Sequence, residues 1–116
     1  MDASQQLDES VADNAKHIER LELELAQMLE ASESSNADDE HDPEGATIAF
    51  ERQQLVSLLA QARRSGRDLE RALERLHDGT YGVCVACGRS IGIDRLEARP
   101  ASTTCIACAR QSGRPS

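Results

Sequence analysis

Thr80-Tyr81-Gly82-Val83-Cys84-Val85-Ala86-Cys87-Gly88 and, after a seventeen-residue interval that follows Cys87, Cys105-Ile106-Ala107-Cys108 contain every cysteine of the chain. A C-x2-C pair places two sulfurs on one tight turn. Two such pairs supply the corners of a tetrahedron with zinc–sulfur distances of about 2.3 Å. Cys84, Cys87, Cys105 and Cys108 are therefore the expected metal ligands, and Zn2+ is the expected cofactor. Gly88, directly after Cys87, suits the turn because a residue without Cβ accepts left-handed backbone angles. A redox CxxC of the thioredoxin type sits beside a strand–helix–strand pattern, and none flanks either pair. His17, His41 and His77 are not needed as ligands, since four thiolates already close a structural site.

Outside the cysteine segment the composition is that of a thin-cored helical protein. The 116 residues include no tryptophan, one tyrosine (Tyr81) and one phenylalanine (Phe50), so aromatic anchors for a deep pocket are missing. A segment of roughly forty residues around the cysteines buries too little surface to fold unaided. Metal binding then supplies folding free energy directly.

Upstream, apolar residues recur in steps of three and four. Leu7, Val11, Ile18, Leu21, Leu25 and Met28 form one seam, interrupted at Asn14. Ile48, Leu55, Leu59, Ala62, Gly66, Leu69, Leu73 and Leu76 form a second. Such heptad seams predict two helices packed along their lengths; Asn14 is either a seam residue that fixes register at some cost in stability or a solvent-facing residue on a frayed first helix. Gly66 weakens its helix by about 1 kcal/mol relative to Ala. Between the seams, residues 32–47 are rich in Ser, Asn, Asp, Pro and Gly, and carry six acids and no Lys or Arg. That segment reads as a turn, with Thr47 the expected N-cap of the second helix. Asp78-Gly79 reads as that helix's stop.

The expected fold is all-α dominated: an antiparallel helical hairpin, or coiled coil, followed by a small four-cysteine zinc-binding head. The expected divisions are a hairpin over 1–78 with an acidic tip loop near 32–47, a zinc-finger head over 79–110, and a flexible tail over 111–116.

Charge is unevenly spread. Residues 1–51 hold fifteen acids against Lys16 and Arg20, while residues 52–116 hold eleven arginines against six acids, and the whole carries −8. Arg63, Arg64, Arg67, Arg71 and Arg75 are placed to pair with Glu19, Glu22 and Glu24, each exposed pair contributing a few tenths of a kcal/mol. Met1-Asp2-Ala3-Ser4 lacks a basic and apolar leader, and no apolar run nears the ~18 residues of a membrane span. The expectation is a cytoplasmic protein with no membrane partner.

Between the cysteine pairs runs Ile91-Gly92-Ile93-Asp94-Arg95-Leu96-Glu97-Ala98-Arg99-Pro100. Together with Thr80–Gly88 and Cys105–Cys108, this stretch resembles the signature of the DksA/TraR family. The resemblance implies a bacterial transcription regulator that binds RNA polymerase directly, inserting its coiled coil into the secondary channel without reading a DNA sequence. It implies no enzymatic activity. The family's tip is similar to Asp-x-x-Asp-x-Ala, where this chain has His41-Asp42-Pro43-Glu44-Gly45-Ala46. On that resemblance Asp42, Glu44 and Ala46 are the expected contacts with polymerase. Some relatives respond to the alarmone ppGpp. Ala109 stands here where a basic residue would help hold it, so that activity is not carried over.

The residues themselves leave two other functions open: a DNA-binding zinc finger and a coiled-coil interaction module. The net charge argues against the first, because DNA binders carry a basic face. An enzyme is disfavoured too, since a site of four cysteines leaves no open coordination position. Self-pairing through the seams is the alternative to the expected monomer. Ile91, Ile93 and Leu96 are expected to pack the head against the hairpin base, and Arg89, Arg95 and Arg99 to lie at the surface.

Overall fold

The computed structural model describes residues 2–34 and 43–112. Four helices follow one another: α1 (Ala3–Ser34), α2 (Pro43–Asp78), α3 (Ile93–Ala98) and α4 (Ile106–Ser112). No strand forms among the described residues, apart from one isolated antiparallel bridge between Val83 and Ser90. The expected all-α hairpin with a cysteine head is the fold observed.

Helix α1 starts where its chemistry permits. Asp2 accepts the Gln5 backbone N–H on its side-chain Oδ1 at 2.7 Å, satisfying one of the donors a helix start leaves free. Helix α2 begins at Pro43, four residues before the expected N-cap at Thr47. Proline breaks a helix interior, but at the first helical position it lacks only an N–H that needs no partner, and its φ is already helical. Of the expected turn 32–47, residues 32–34 belong to α1 and 43–47 to α2, while 35–42 lie outside the described residues. Gly66 lies within α2 as well, half-buried and helical.

Helix α2 stops as its last residues dictate. Gly79 takes φ 81°. Its N–H reaches the Leu76 carbonyl at 3.3 Å, and the Thr80 N–H reaches the Arg75 carbonyl at 2.9 Å. These are the two bonds of a Schellman ending, which closes the last orphan carbonyls and turns the chain sharply.

The chain divides into two compact units, Met1–Asp13 with Ser65–Ser116, and Asn14–Arg64. In the second unit Leu21, Leu59 and Ala62 form the buried centre, with Ile18, Leu25 and Leu55 packed around it. Leu7 clusters with Leu69 and Ala72, while Asn14, further along α1, reaches Ala62, further back on α2, so the two helices run antiparallel. Asn14, the break in the first seam, donates its side-chain amide to the Ala62 carbonyl at 3.0 Å. Arg63 approaches Glu22 at 3.9 Å with both side chains about half exposed, a geometry that contributes little. Arg71 pairs instead with Asp68 of its own helix at 3.9 Å.

In the first unit Leu7, Leu69 and Ala72 form the core, flanked by Val11, Leu73, Leu76, Tyr81 and Ala101. Leu7 is fully buried, a contribution of about 1.5–3 kcal/mol. The head residues packed against this core are Tyr81 and Ala101, while Ile91 is buried and Leu96 half-buried within the head. Ile93 departs from expectation, being 73% exposed. Gly92, at φ 101°, redirects the chain between the two isoleucines, so Ile91 is buried while Ile93 opens α3 on the outside. No helix of the described residues is long and apolar enough to cross a membrane.

Candidate metal centre

The first cysteine pair sits on a tight loop between Gly82 and Ile91. Ile91 donates its N–H to the Gly82 carbonyl at 2.8 Å, Cys84 to the Arg89 carbonyl at 2.8 Å, and Gly88 to the Cys84 carbonyl at 2.9 Å. Closing a loop this short requires a left-handed residue after the second cysteine, and Gly88 supplies it at φ 76°. The second pair straddles the start of α4. Cys105 precedes the helix, its carbonyl accepting the Ala109 N–H at 2.9 Å, and Cys108 lies within it. A bond from the Val85 N–H to the Thr103 carbonyl, 2.9 Å, ties the two pairs together.

These local turns bring Cys84, Cys87, Cys105 and Cys108 into one cluster, with all four sulfurs within 4.8 Å of one another. The Cys87 and Cys105 Sγ atoms are 3.8 Å apart, and all four cysteines are free thiols. A tetrahedron with zinc–sulfur bonds of about 2.3 Å has edges of about 3.8 Å. The sulfur cage is therefore the right size for such an ion, with a slight contraction of its widest edge.

The acidity of the thiols points the same way. The N–H of Cys105, followed by those of Cys87 and Ala86, lowers the Cys84 thiol to about 6. Hydrogen bonds from the Cys108 backbone and side chain lower Cys105. Cys108 is pushed up to about 12, first by Cys105 and then by Cys84, whose sulfurs hold its proton. Cys84 is thus prepared as a thiolate and Cys105 is shifted the same way, while its neighbours hold the Cys108 proton in place. A divalent ion that prefers sulfur displaces that proton.

Two arginines, read from sequence as helix-surface and head-surface charges, take part in this region. Arg75 donates from Nη2 to the Val83 carbonyl at 3.1 Å. Arg95 donates from Nε to the Thr104 carbonyl at 2.9 Å. Arg89 and Arg99 are exposed, as expected. Tyr81 donates its hydroxyl to the Pro100 carbonyl at 2.8 Å, and Gln6 of α1 donates to the Glu97 carbonyl at 2.9 Å. None of these carbonyl contacts carries a spacing signature, because the acceptor is backbone and any residue provides one.

Of the expected tip residues, Asp42 lies outside the described residues. Glu44 falls within α2, but its side chain is likewise outside them. Ala46 is a helical, exposed residue in the first turns of α2.

Comparison with known proteins agrees with the geometry. The prokaryotic dksA/traR C4-type zinc finger matches residues 79–112, the segment that builds the cage. The protein YteA of Bacillus subtilis is 31% identical over 100 residues, covering 86% of this chain and 42% of its own length. The RNA polymerase-binding transcription factor DksA of Escherichia coli is 45% identical over 42 residues, covering 36% of this chain and 28% of DksA. The chain therefore spans less than half the length of these two relatives. The structure of transcription factor DksA2 from Pseudomonas aeruginosa aligns with a TM-score of 0.56 at 25% identity, covering 97% of this chain and 89% of that one. That likeness reaches past the cysteine head into both long helices. Head, hairpin and cysteine cage all agree with a likeness to the DksA/TraR proteins, and residues 79–112 match their C4-type zinc finger.

Proposed function

We propose that this protein is a bacterial transcription regulator that binds RNA polymerase directly and is held in shape at its head by one structural zinc ion. Cys84, Cys87, Cys105 and Cys108 are the ligands. The ion closes the cage and holds the two cysteine turns together; with four sulfurs bound it has no open position for substrate, so the role is structural and not catalytic. The helical hairpin carries Asp42, Glu44 and Ala46 into the polymerase secondary channel, where carboxylates suit basic or metal-bearing surroundings. The regulator acts as a monomer in the cytoplasm, where thiols stay reduced, and contacts no specific DNA sequence.

One observation carries this reading. The alignment with DksA2, a transcription factor, extends over 97% of the chain, so the similarity is not confined to a generic zinc finger. The relative named for RNA polymerase binding matches a shorter stretch, 36% of the chain. The net charge of −8 also disfavours a protein that binds naked DNA on its own.

The test is co-purification with core RNA polymerase, followed by transcription from a sensitive promoter. Binding by the wild type is expected, together with a change in transcript yield that Asp42→Asn/Glu44→Gln abolishes without loss of binding. Failure of the wild type to associate with polymerase, or a double variant that behaves as wild type in transcription, would overturn the proposal.

A further inference from the structure

Cys84 and Cys105 each open a cysteine pair, and in each case the residue just before is held by an arginine through its backbone carbonyl. Val83 O accepts from Arg75 Nη2 at 3.1 Å. Thr104 O accepts from Arg95 Nε at 2.9 Å. The two arginines come from different elements, the last turn of α2 and helix α3. Both are half-buried, and among the described residues neither forms an ion pair. Their charge is not used to neutralise a carboxylate; it is spent on a backbone acceptor adjoining a metal ligand.

Arg75 holds its segment by more than one bond. Its own carbonyl accepts the N–H groups of Thr80 at 2.9 Å and Tyr81 at 3.1 Å, so one residue grips the chain both where it leaves α2 and where it enters the first cysteine turn. Its second guanidinium nitrogen, Nη1, is buried without a partner. A buried donor left unpaired is costly, so the guanidinium keeps this place against a penalty. A flexible surface arginine would turn both nitrogens to water.

We infer that Arg75 and Arg95 are a matched pair of positioning residues for the metal site, each fixing the peptide that precedes the first cysteine of one pair. The inference rests on the zinc reading above and goes beyond it. Fixing the Val83–Cys84 and Thr104–Cys105 peptides restricts the direction in which each leading sulfur points. Hydrogen-bonded partners of this kind orient metal ligands, and their loss typically weakens metal binding 10–100-fold.

The experiment compares the full-length zinc protein with Arg75→Met, Arg95→Met, Arg75→Lys and Arg95→Lys. Methionine keeps an apolar stem and removes the donor, whereas lysine restores a single donor. Tyr81→Phe serves as a control, because it removes a head hydrogen bond that adjoins no cysteine. The readouts are zinc transfer to a chromophoric chelator, the thiolate–metal absorption of the cobalt-substituted protein, and thermal stability by circular dichroism.

Each Met variant is expected to lose zinc about 10-fold faster than the wild type, with a shifted cobalt spectrum. Each Lys variant should fall between Met and wild type. Tyr81→Phe is expected to lower stability while leaving the cobalt spectrum unchanged. The inference is overturned if the Met variants release zinc no faster than Tyr81→Phe at equal stability, or if Lys recovers nothing. Should a Met variant lose its helices, the Lys variant carries the comparison, and a wild-type rate of zinc loss there overturns the role of that arginine. A folded wild type that binds no zinc sinks the zinc reading and this inference together. A tight wild type with indifferent variants sinks only the inference.

Discussion

Asn14 on α1 donates its side-chain amide to the backbone carbonyl of Ala62 on α2, 3.0 Å away, at the one place where the apolar seam of α1 is interrupted. A helical carbonyl retains a second lone pair, so Ala62 can accept this bond without losing its place in the helix. The bond is directional, whereas Leu, Ile and Ala contacts on either side tolerate sliding. Asn14→Ala is expected to destabilise the Asn14–Arg64 unit by about 1 kcal/mol, read as a lower urea midpoint with an unchanged slope. Asn14→Leu is expected to hold or raise the midpoint, because an apolar seam packs better, while broadening the distance distribution between spin labels placed on exposed faces of this unit. An unbroadened distribution would remove the register role.

The seams were legible because burial along a helix leaves a period in the sequence, and Asn14 was legible as the exception to it. Thr47 was misplaced as an N-cap because Pro43 reads as a breaker when it is in fact a permitted first helical residue. Ile93 misled for a different reason. Ile91-Gly92-Ile93 has the alternation of a buried strand, but alternation predicts facing only while the backbone stays extended, and Gly92 at φ 101° ends that. The cysteine cage was readable from spacing alone, whereas Arg75 and Arg95 were not. Their acceptors are backbone carbonyls, which have no identity in a sequence.

Metal removal should affect the two units differently. The core of Leu21, Leu59 and Ala62 involves no head residue, while the loops bearing the cysteines have little apolar burial beyond Cys84 and Ile91. Stripping zinc with a chelator is expected to abolish amide protection over residues 82–108 and to leave most of the far-UV helical signal in place. Unchanged hydrogen exchange in that segment after verified metal loss would contradict a structural role for the ion.

Zinc uptake should release fewer than four protons near neutral pH, with a count that depends on pH in a set direction. Cys84, lowered to about 6, is already largely a thiolate near pH 7 and releases almost nothing. Cys108, held up near 12, releases a full proton when the ion displaces it. Below pH 6 Cys84 is protonated in the free protein, so it adds about one proton to the count, and affinity weakens accordingly. Calorimetry in buffers of different ionisation enthalpy measures this number, and an equal count at pH 5.5 and pH 7.5 would refute the assignment of Cys84 as the prepared thiolate.

Tyr81 offers the same kind of test at the alkaline end. Its hydroxyl donates to the Pro100 carbonyl at 2.8 Å, and burial raises its pKa above 10, with the nearby Arg75 opposing the rise. A group whose folded pKa is raised contributes stability that is complete below its unfolded pKa of about 10 and is lost as pH climbs through the folded value. Here the loss has a concrete cause: a phenolate cannot donate to a carbonyl. At pH 9, with zinc bound so that the thiols do not titrate, Tyr81→Phe should be less stable than the wild type by about 1 kcal/mol. That gap should close as pH rises past 10, because the wild type forfeits the bond that the variant never had. As Tyr81 is the chain's single tyrosine, tyrosinate absorbance reports its ionisation directly and should rise over the same interval. A gap that stays constant while the absorbance rises would show that the hydroxyl's bond to Pro100 contributes nothing to the head.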